Sequence, residues 1–168
     1  LEKLSINVSP LELHDVAYAD RVKAILEQAG LPKSALILEI TETAAILEDA
    51  RVATTLQELS DAGFSLAVDD FGTGYANLSN LTRFAFKMVK IDRSLLPGGD
   101  KKTTRLFENV VSMASQLGLE VLAEGAESSQ DVSALFAAGC TLAQGFFLGR
   151  PVPAGEFGKL LAKSNSRG

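Results

Sequence analysis

Short apolar runs rich in β-branched residues alternate along this chain with stretches that have the 3.6-residue period of amphipathic helices. The apolar runs cover residues 4–8, 36–40, 64–68, 88–91, 120–123 and 142–147, and each is typical of a buried strand. Gly30, Gly63 and Gly118 follow helical stretches at the positions of helix C-caps. This alternation predicts an α/β fold in which parallel strands are joined by crossover helices.

Two arrangements satisfy this pattern, namely an open doubly wound sheet and a closed (β/α) barrel. No glycine-rich phosphate loop follows the first strand, and every strand ends in polar or ionisable residues, as active sites at the C-terminal end of a barrel require. The pattern therefore favours a TIM-like (β/α) barrel. A complete barrel has eight strands and about 250 residues. We therefore expect a partial barrel in which about six of the eight βα units are present.

Composition limits the class of protein. The 168 residues are 46% hydrophobic and 22% charged, which is typical of one folded domain over 1–168. No apolar run reaches the 18 residues expected of a membrane span. The net charge of −5 opposes sequence-independent binding to duplex nucleic acid. Cys140 is the only cysteine, so an internal disulfide is impossible and a reducing compartment fits.

Each predicted strand ends with side chains that carry oxygen ligands or a cation. They are Asn7, then Glu39 with Glu42, Asp69 with Asp70, Lys90 with Asp92, Glu124 with Glu127, and Gln144. Any one of them alone is more often a turn or N-cap residue. Six strands that bring such groups to one end of a barrel would create an acidic cluster, which is costly unless cations neutralise it. Oxygen donors favour Mg²⁺, Mn²⁺ or Ca²⁺ over structural zinc.

The most specific string is Asp-Asp-Phe-Gly-Thr-Gly-Tyr at 69–75. Adjacent aspartates point in opposite directions within a strand, but the backbone turns at a strand end, so both carboxylates can reach one metal pair. Gly72 and Gly74 permit a tight loop after them. The alternative is a hairpin turn with solvated acids, which the buried run at 64–68 disfavours.

Six strings resemble, in order and spacing, the motifs of the EAL domain family. They are Asn-Val-Ser at 7–9, Glu-Ile-Thr-Glu at 39–42, the string at 69–75, Lys-Ile-Asp at 90–92, Ala-Glu-Gly at 123–125 with Glu127, and Gln-Gly-Phe at 144–146. The match runs from about residue 4 to 153. This resemblance implies a (β/α) barrel that hydrolyses the bacterial second messenger cyclic di-GMP to linear pGpG. It also implies a cytoplasmic segment, within a parent protein that can itself be membrane-anchored.

The resemblance also implies a two-metal site. Asn7, Glu39 and Asp69 would bind one Mg²⁺ or Mn²⁺, and Asp69, Asp70 and Glu124 would hold a second. Such ions lower the pKa of water and offset charge on phosphoryl oxygens.

The same resemblance implies roles for the remaining side chains. Lys90 would contact the attacking water or a phosphate oxygen, and Glu124 could accept the proton of the water. Gln144, Glu127 and Asp92 would belong to the substrate or water network, with a structural strand-end acceptor as the alternative for Asp92. Glu42 would anchor the loop at 72–75.

The chain departs from the family pattern in one respect. The Glu-Ala-Leu string that names the family, and whose glutamate is a ligand of the first metal, occurs nowhere in the sequence; its usual position precedes Asn7. We therefore expect weak or absent activity for this segment alone. A partial barrel also has an open edge, so we expect self-association through that edge or rearrangement of the N-terminal part. The alternative function is a non-catalytic module that binds cyclic di-GMP or another protein.

Overall fold

The computed structural model describes residues 3–46, 49–72, 81, 84–98 and 100–165. Six parallel strands form one sheet in which strand order follows sequence order. The strands are β1 (Leu4–Val8), β2 (Leu36–Thr41), β3 (Ser65–Phe71), β4 (Phe86–Ile91), β5 (Glu120–Glu124) and β6 (Leu142–Gln144). The α/β prediction and the six predicted strands are confirmed.

Helices alternate with these strands. They are α1 (Pro10–Leu13), α2 (Tyr18–Ala29), α3 (Glu42–Ile46), α4 (Ala50–Asp61), α5 (Lys101–Gln116), α6 (Ser129–Ala137) and α7 (Ala154–Asn165). Local sequence sets their ends: Gly30 ends α2 in the left-handed conformation, and the Asp100 side chain caps the start of α5. Among the described residues, no helix combines the length and the apolarity that crossing a bilayer requires.

The face of the sheet that packs against the helices carries the main core. Strand residues such as Leu38, Leu66 and Val89 are fully buried in one cluster with helix residues such as Leu56 and Phe107. Complete burial of such a side chain contributes about 1.5–3 kcal/mol. This layer fixes each strand relative to the helix that follows it.

The opposite face of the sheet is concave and has its own small apolar cluster. Ile37, Ala67 and Met88, from three neighbouring strands, are buried together, and Leu122 of β5 packs on them. The ammonium of Lys3, just before β1, lies 3.6 Å from a carboxylate oxygen of Glu120 at the start of β5. Because four strand spacings separate β1 from β5, this contact requires a strongly curled sheet. The sheet is therefore a half-barrel.

The two edge strands differ from the sequence-based expectation that every strand is buried. Leu4 and Ile6 of β1 are 48% and 37% exposed, and Leu142 of β6 is 37% exposed. Each edge strand has one strand neighbour within the described part of the chain, so its other side is uncovered. β6 also ends at Gln144, although the apolar run predicts a strand to residue 147.

Candidate metal and active site

One polar side chain from each strand lies on the concave face of the sheet. The six side chains are Asn7, Glu39, Asp69, Lys90, Glu124 and Gln144, and we call them the polar layer. Each lies at or near the C-terminal end of its strand: Glu39 follows Ile37 by two residues and Lys90 follows Met88 by two, so both face the same side as the apolar cluster. The layer therefore covers the apolar cluster at the C-terminal ends of the strands, where barrel active sites lie.

Lys90 occupies the centre of the polar layer and is 4% exposed. Its ammonium lies 2.6 Å from Oε2 of Glu39, 2.8 Å from Oδ1 of Asp69 and 2.8 Å from Oε1 of Glu124. One lysine thus joins carboxylates from the strands on both sides of it. Three carboxylates and one ammonium leave two negative charges, which is the charge that a divalent cation would balance.

The pKa values of this cluster reflect its shared charge. Burial alone would lower the pKa of Lys90, but hydrogen bonds to Asp69, Glu124 and Glu39 outweigh it and raise the pKa above the ordinary lysine value. Burial also raises the pKa of Glu124, and the hydrogen bond and charge of Lys90 offset that shift only in part. Burial and the neighbouring Asp69 and Asp92 raise the pKa of Asp70. Lys90 is therefore a permanent cation at neutral pH.

The two adjacent aspartates converge through a backbone turn. Asp70 has a φ of 56°, a left-handed conformation that costs a non-glycine residue about 1–3 kcal/mol. Carboxylate oxygens of Asp69, Asp70 and Glu124 lie within 4.8 Å of one another. The two aspartates therefore lie in one acidic cluster, and the expectation that they reach one metal pair stays a prediction. The oxygen-only donor set fits Mg²⁺ or Mn²⁺.

Glu42 begins α3 beside this cluster and is 5% exposed. Its Oε2 accepts a hydrogen bond of 3.0 Å from the backbone N–H of Gly72, directly after β3. Within the described residues, its Oε1 is buried and accepts no hydrogen bond. The contact agrees with the expected loop anchor at its Gly72 end, whereas residues 73–75 of that loop lie outside the described residues.

Asp92 and Glu127 lie beside the polar layer, and Asn7 and Gln144 lie at its two ends. Oδ1 of Asp92 accepts a hydrogen bond of 2.9 Å from the N–H of Ser94 and caps a 3₁₀ turn, which supports its structural alternative. Glu127 is exposed in the β5–α6 connection, and Gln144 pairs with Glu124 in the sheet register. Asn7 pairs with Glu39 in the sheet register but is exposed on the edge strand β1.

Arg93 is a residue of this site that the sequence-based prediction missed. It lines a cavity of about 250 Å³ together with Glu124, Gln144 and Phe146, and its guanidinium forms an ion pair with Glu127. The available signal was its position directly after the Lys-Ile-Asp string, within the connection that follows β4. An arginine two residues beyond a strand end has many surface explanations, so its position alone was not informative.

Comparison with known proteins defines the class. The sequence matches the EAL domain over residues 1–151, and this chain belongs to the EAL domain family. Cyclic di-GMP phosphodiesterase RocR of Pseudomonas aeruginosa is 36% identical over 156 residues, which are 92% of this chain and 40% of RocR. Cyclic di-GMP phosphodiesterase NbdA of the same organism is 35% identical over 90% of this chain and 20% of NbdA. The chain thus spans less than half of the length of these relatives.

Solved structures agree with the family assignment. The EAL domain of Mycobacterium smegmatis DcpA superposes on this chain with a TM-score of 0.88 at 37% identity. The superposition covers 96% of this chain and 73% of the DcpA chain. The MucR phosphodiesterase in complex with c-di-GMP superposes with a TM-score of 0.85 at 34% identity. The superposition covers 92% of this chain and 64% of the MucR chain. The six-stranded half-barrel is therefore part of a TIM-like barrel of the EAL type.

Proposed function

We propose that this domain, within its intact parent protein, hydrolyses cyclic di-GMP to linear pGpG at the polar layer. The observation that carries the proposal is the convergence of Asp69, Asp70 and Glu124 around a permanently charged Lys90. The names of RocR and NbdA, both cyclic di-GMP phosphodiesterases, support the substrate. A cytoplasmic location follows from that substrate, which is a bacterial second messenger.

Two groups of residues would hold divalent cations. Asp69, Asp70 and Glu124 would hold one, and Asn7 and Glu39 would share the other with Asp69. Mg²⁺ or Mn²⁺ bound there would supply activation of a water nucleophile and compensation of phosphoryl charge. The all-oxygen donors and the uncompensated charge of the cluster support this assignment.

The chain's own residues would position the reacting groups and accept the proton of the water. Lys90 would direct its ammonium towards a phosphate oxygen, since its position at the centre of the layer places it beside any group held by the carboxylates. Glu124, whose raised pKa brings it closer to neutrality, is the proposed proton acceptor for the water. Gln144 would orient water or substrate from the neighbouring strand.

The direct test is incubation of the purified chain with cyclic di-GMP and Mg²⁺ or Mn²⁺, followed by chromatography of the nucleotides. We expect pGpG as the product, formed slowly, because Asn7 lies on an exposed edge strand and the first cation group is the less enclosed one. Asp70→Asn should remove the remaining turnover. Asp20→Asn, which deletes the charge of an 82% exposed side chain on α2, is the matched control and should leave it unchanged.

A second candidate is a module that binds cyclic di-GMP without hydrolysing it. The exposure of Asn7 favours this candidate for the isolated chain, whereas the three carboxylates bound to Lys90 favour catalysis. Calorimetric binding of cyclic di-GMP with no pGpG after prolonged incubation would establish the binding module. Absence of both binding and product would refute both candidates.

We also propose that the isolated chain pairs with a second copy through the outer edge of β1. The 48% exposure of Leu4 and 37% exposure of Ile6 support this, because an uncovered apolar edge strand is a template for another strand. Light scattering should give the mass of a dimer at high concentration. Ile6→Lys should shift the chain towards monomer. A monodisperse wild-type monomer would refute the proposal.

A further inference from the structure

The cavity next to the polar layer has one cationic side chain among the residues described around it. Its volume of about 250 Å³ is lined by Arg93, Glu124, Gly125, Glu127, Gln144, Gly145 and Phe146. Because Glu124 belongs to both the acidic cluster and the cavity wall, a ligand held at the cluster would extend into this cavity. The volume is below the usual 300–1,000 Å³ of a complete ligand pocket, so it accommodates part of a ligand.

Arg93 is held beside Glu124 by its backbone and by its aliphatic stem. The side chain of Asp92 caps the 3₁₀ turn that Arg93 begins. A Cβ placed on Gly125, which has a φ of 82°, would lie 2.7–2.9 Å from carbon atoms of the Arg93 side chain. The stem of Arg93 therefore crosses the backbone at Gly125, directly after Glu124, and only glycine leaves room for it.

The guanidinium group of Arg93, in contrast, can readily exchange its ion-pair partner. It forms a two-pronged ion pair with Glu127, in which Nη2 lies 2.7 Å from Oε2. The side chains of Arg93 and Glu127 are 60% and 42% exposed, and ion pairs in such positions contribute little net stability. A phosphodiester offers the same fork of two oxygens and the same single negative charge as the carboxylate, and arginine binds it in the same bidentate geometry.

Resting on the proposed function, we propose that Arg93 binds the second phosphate of the cyclic dinucleotide, the one that is not cleaved. Cyclic di-GMP carries two phosphodiester anions, and the acidic cluster with its cations would take one. The other would enter a region lined by Glu124 and Glu127, where an anion needs a cation. Arg93 supplies it by exchanging Glu127 for the phosphate, so it is a positioning residue for substrate.

The two partners of the ion pair give the proposal an unusual test. If Arg93 serves the phosphate, Arg93→Gln should weaken binding of cyclic di-GMP by tenfold or more, since a charge-assisted bidentate contact is lost. Glu127→Gln should tighten binding about threefold, because the carboxylate that competes for Arg93 is gone. If the ion pair only holds the connection after β4 against the connection after β5, Arg93→Gln and Glu127→Gln should weaken binding of cyclic di-GMP to a similar extent.

The measurement is calorimetric titration of the full chain with cyclic di-GMP in Mg²⁺, with chromatography of each sample to confirm intact ligand. Guanosine 5′-monophosphate, which carries one phosphate, is the comparison ligand, and its affinity should not change in Arg93→Gln. Arg51→Gln removes an exposed arginine of α4 and should bind both ligands as wild type does.

Each result has a distinct meaning. Wild-type chain that binds no cyclic di-GMP would overturn the proposed function together with this inference. Wild-type binding with equal affinity in Arg93→Gln, or an equal loss for both ligands, would overturn the role of Arg93 alone. If Arg93→Gln does not fold, Arg93→Lys, which keeps the charge, and Glu127→Gln still distinguish the two roles of Arg93. A purely structural ion pair predicts weaker binding of cyclic di-GMP in Glu127→Gln, whereas a phosphate-binding Arg93 predicts tighter binding.

Discussion

Replacement of Lys90 by methionine would remove the central cation of the polar layer while keeping a similar side-chain volume. Glu39 and Asp69, which are 7% and 9% exposed, would then be left with Glu124 as carboxylates without their ammonium. Removing one partner of a buried ion pair costs about 3–5 kcal/mol. Two like charges about 5 Å apart repel by about 3 kcal/mol at an effective dielectric constant of 20, which is of the same size. In the presence of the chelator EDTA, we therefore expect Lys90→Met to lower the free energy of unfolding by about 3–5 kcal/mol.

A divalent cation should restore much of this loss, because it places positive charge among the same oxygens. The expected signature is therefore a large destabilisation of Lys90→Met in EDTA and a smaller one in Mg²⁺. Urea unfolding followed by far-ultraviolet circular dichroism is the suitable assay, since the chain has no tryptophan to report by fluorescence. Lys23→Met is the matched control: its ion pair with Asp20 lies at the surface and is worth about 0–1 kcal/mol.

Two outcomes would refute this reasoning. A Lys90→Met chain within about 1 kcal/mol of wild type in EDTA would mean that the three carboxylates do not depend on the ammonium. An equal loss with and without Mg²⁺ would mean that the methionine disturbs packing and that the site does not accept a cation in its place.

Three further changes test other parts of the structure. Gly145→Ala should destabilise the chain by about 2 kcal/mol or more in urea unfolding, because its Cβ would lie 2.1 Å from the carbonyl oxygen of Ala126; Gly155→Ala, in open space, should not. Cys140 is buried and its pKa is raised by burial, so the unfolded chain loses the thiol proton first and stability falls as pH rises above about 8.5. Cys140→Ala should flatten the change in unfolding free energy between pH 7 and 9.5, and an unchanged slope would contradict this assignment. Glu42→Ala should lower turnover of cyclic di-GMP and increase proteolysis after β3 by removing the acceptor for Gly72; resistance equal to that of wild type would contradict an anchoring role.

The sequence was most informative about features that depend on local periodicity. Apolar runs that alternate with helix-period stretches predicted the six strands of the described sheet, and the polar groups at their ends predicted a cluster at one end of it. The ends of strands were less predictable: β6 stops at Gln144, where the chain turns and the N–H groups of Leu148 and Gly149 donate to the Gly145 carbonyl, although Phe146 and Phe147 continue the apolar pattern. The exposure of Leu4 follows from the edge position of β1 in the described sheet, which is a tertiary property.

Within the site, residue types were predictable but contacts between them were not. Strand-end carboxylates could be collected from the sequence, yet the insertion of the Lys90 ammonium among Glu39, Asp69 and Glu124 depends on register and on sheet curvature. Arg93 was missed for the same reason, because its relation to Glu127 joins connections 34 residues apart in sequence. Pairings of this kind are set by the folded sheet and leave no periodic signal.

The consecutive order of the strands has a consequence for how the chain opens. Every strand pairs with the strand before or after it in sequence, so each βα unit contacts mainly its neighbours, as repeats do in a solenoid. Such a chain can fray from either end while its middle stays intact. Amide hydrogens of β3 and β4 should therefore exchange slowest and those of β1 and β6 fastest in hydrogen-exchange measurements. The acidic cluster, centred on the middle strands, would then be the last part of the molecule to come apart.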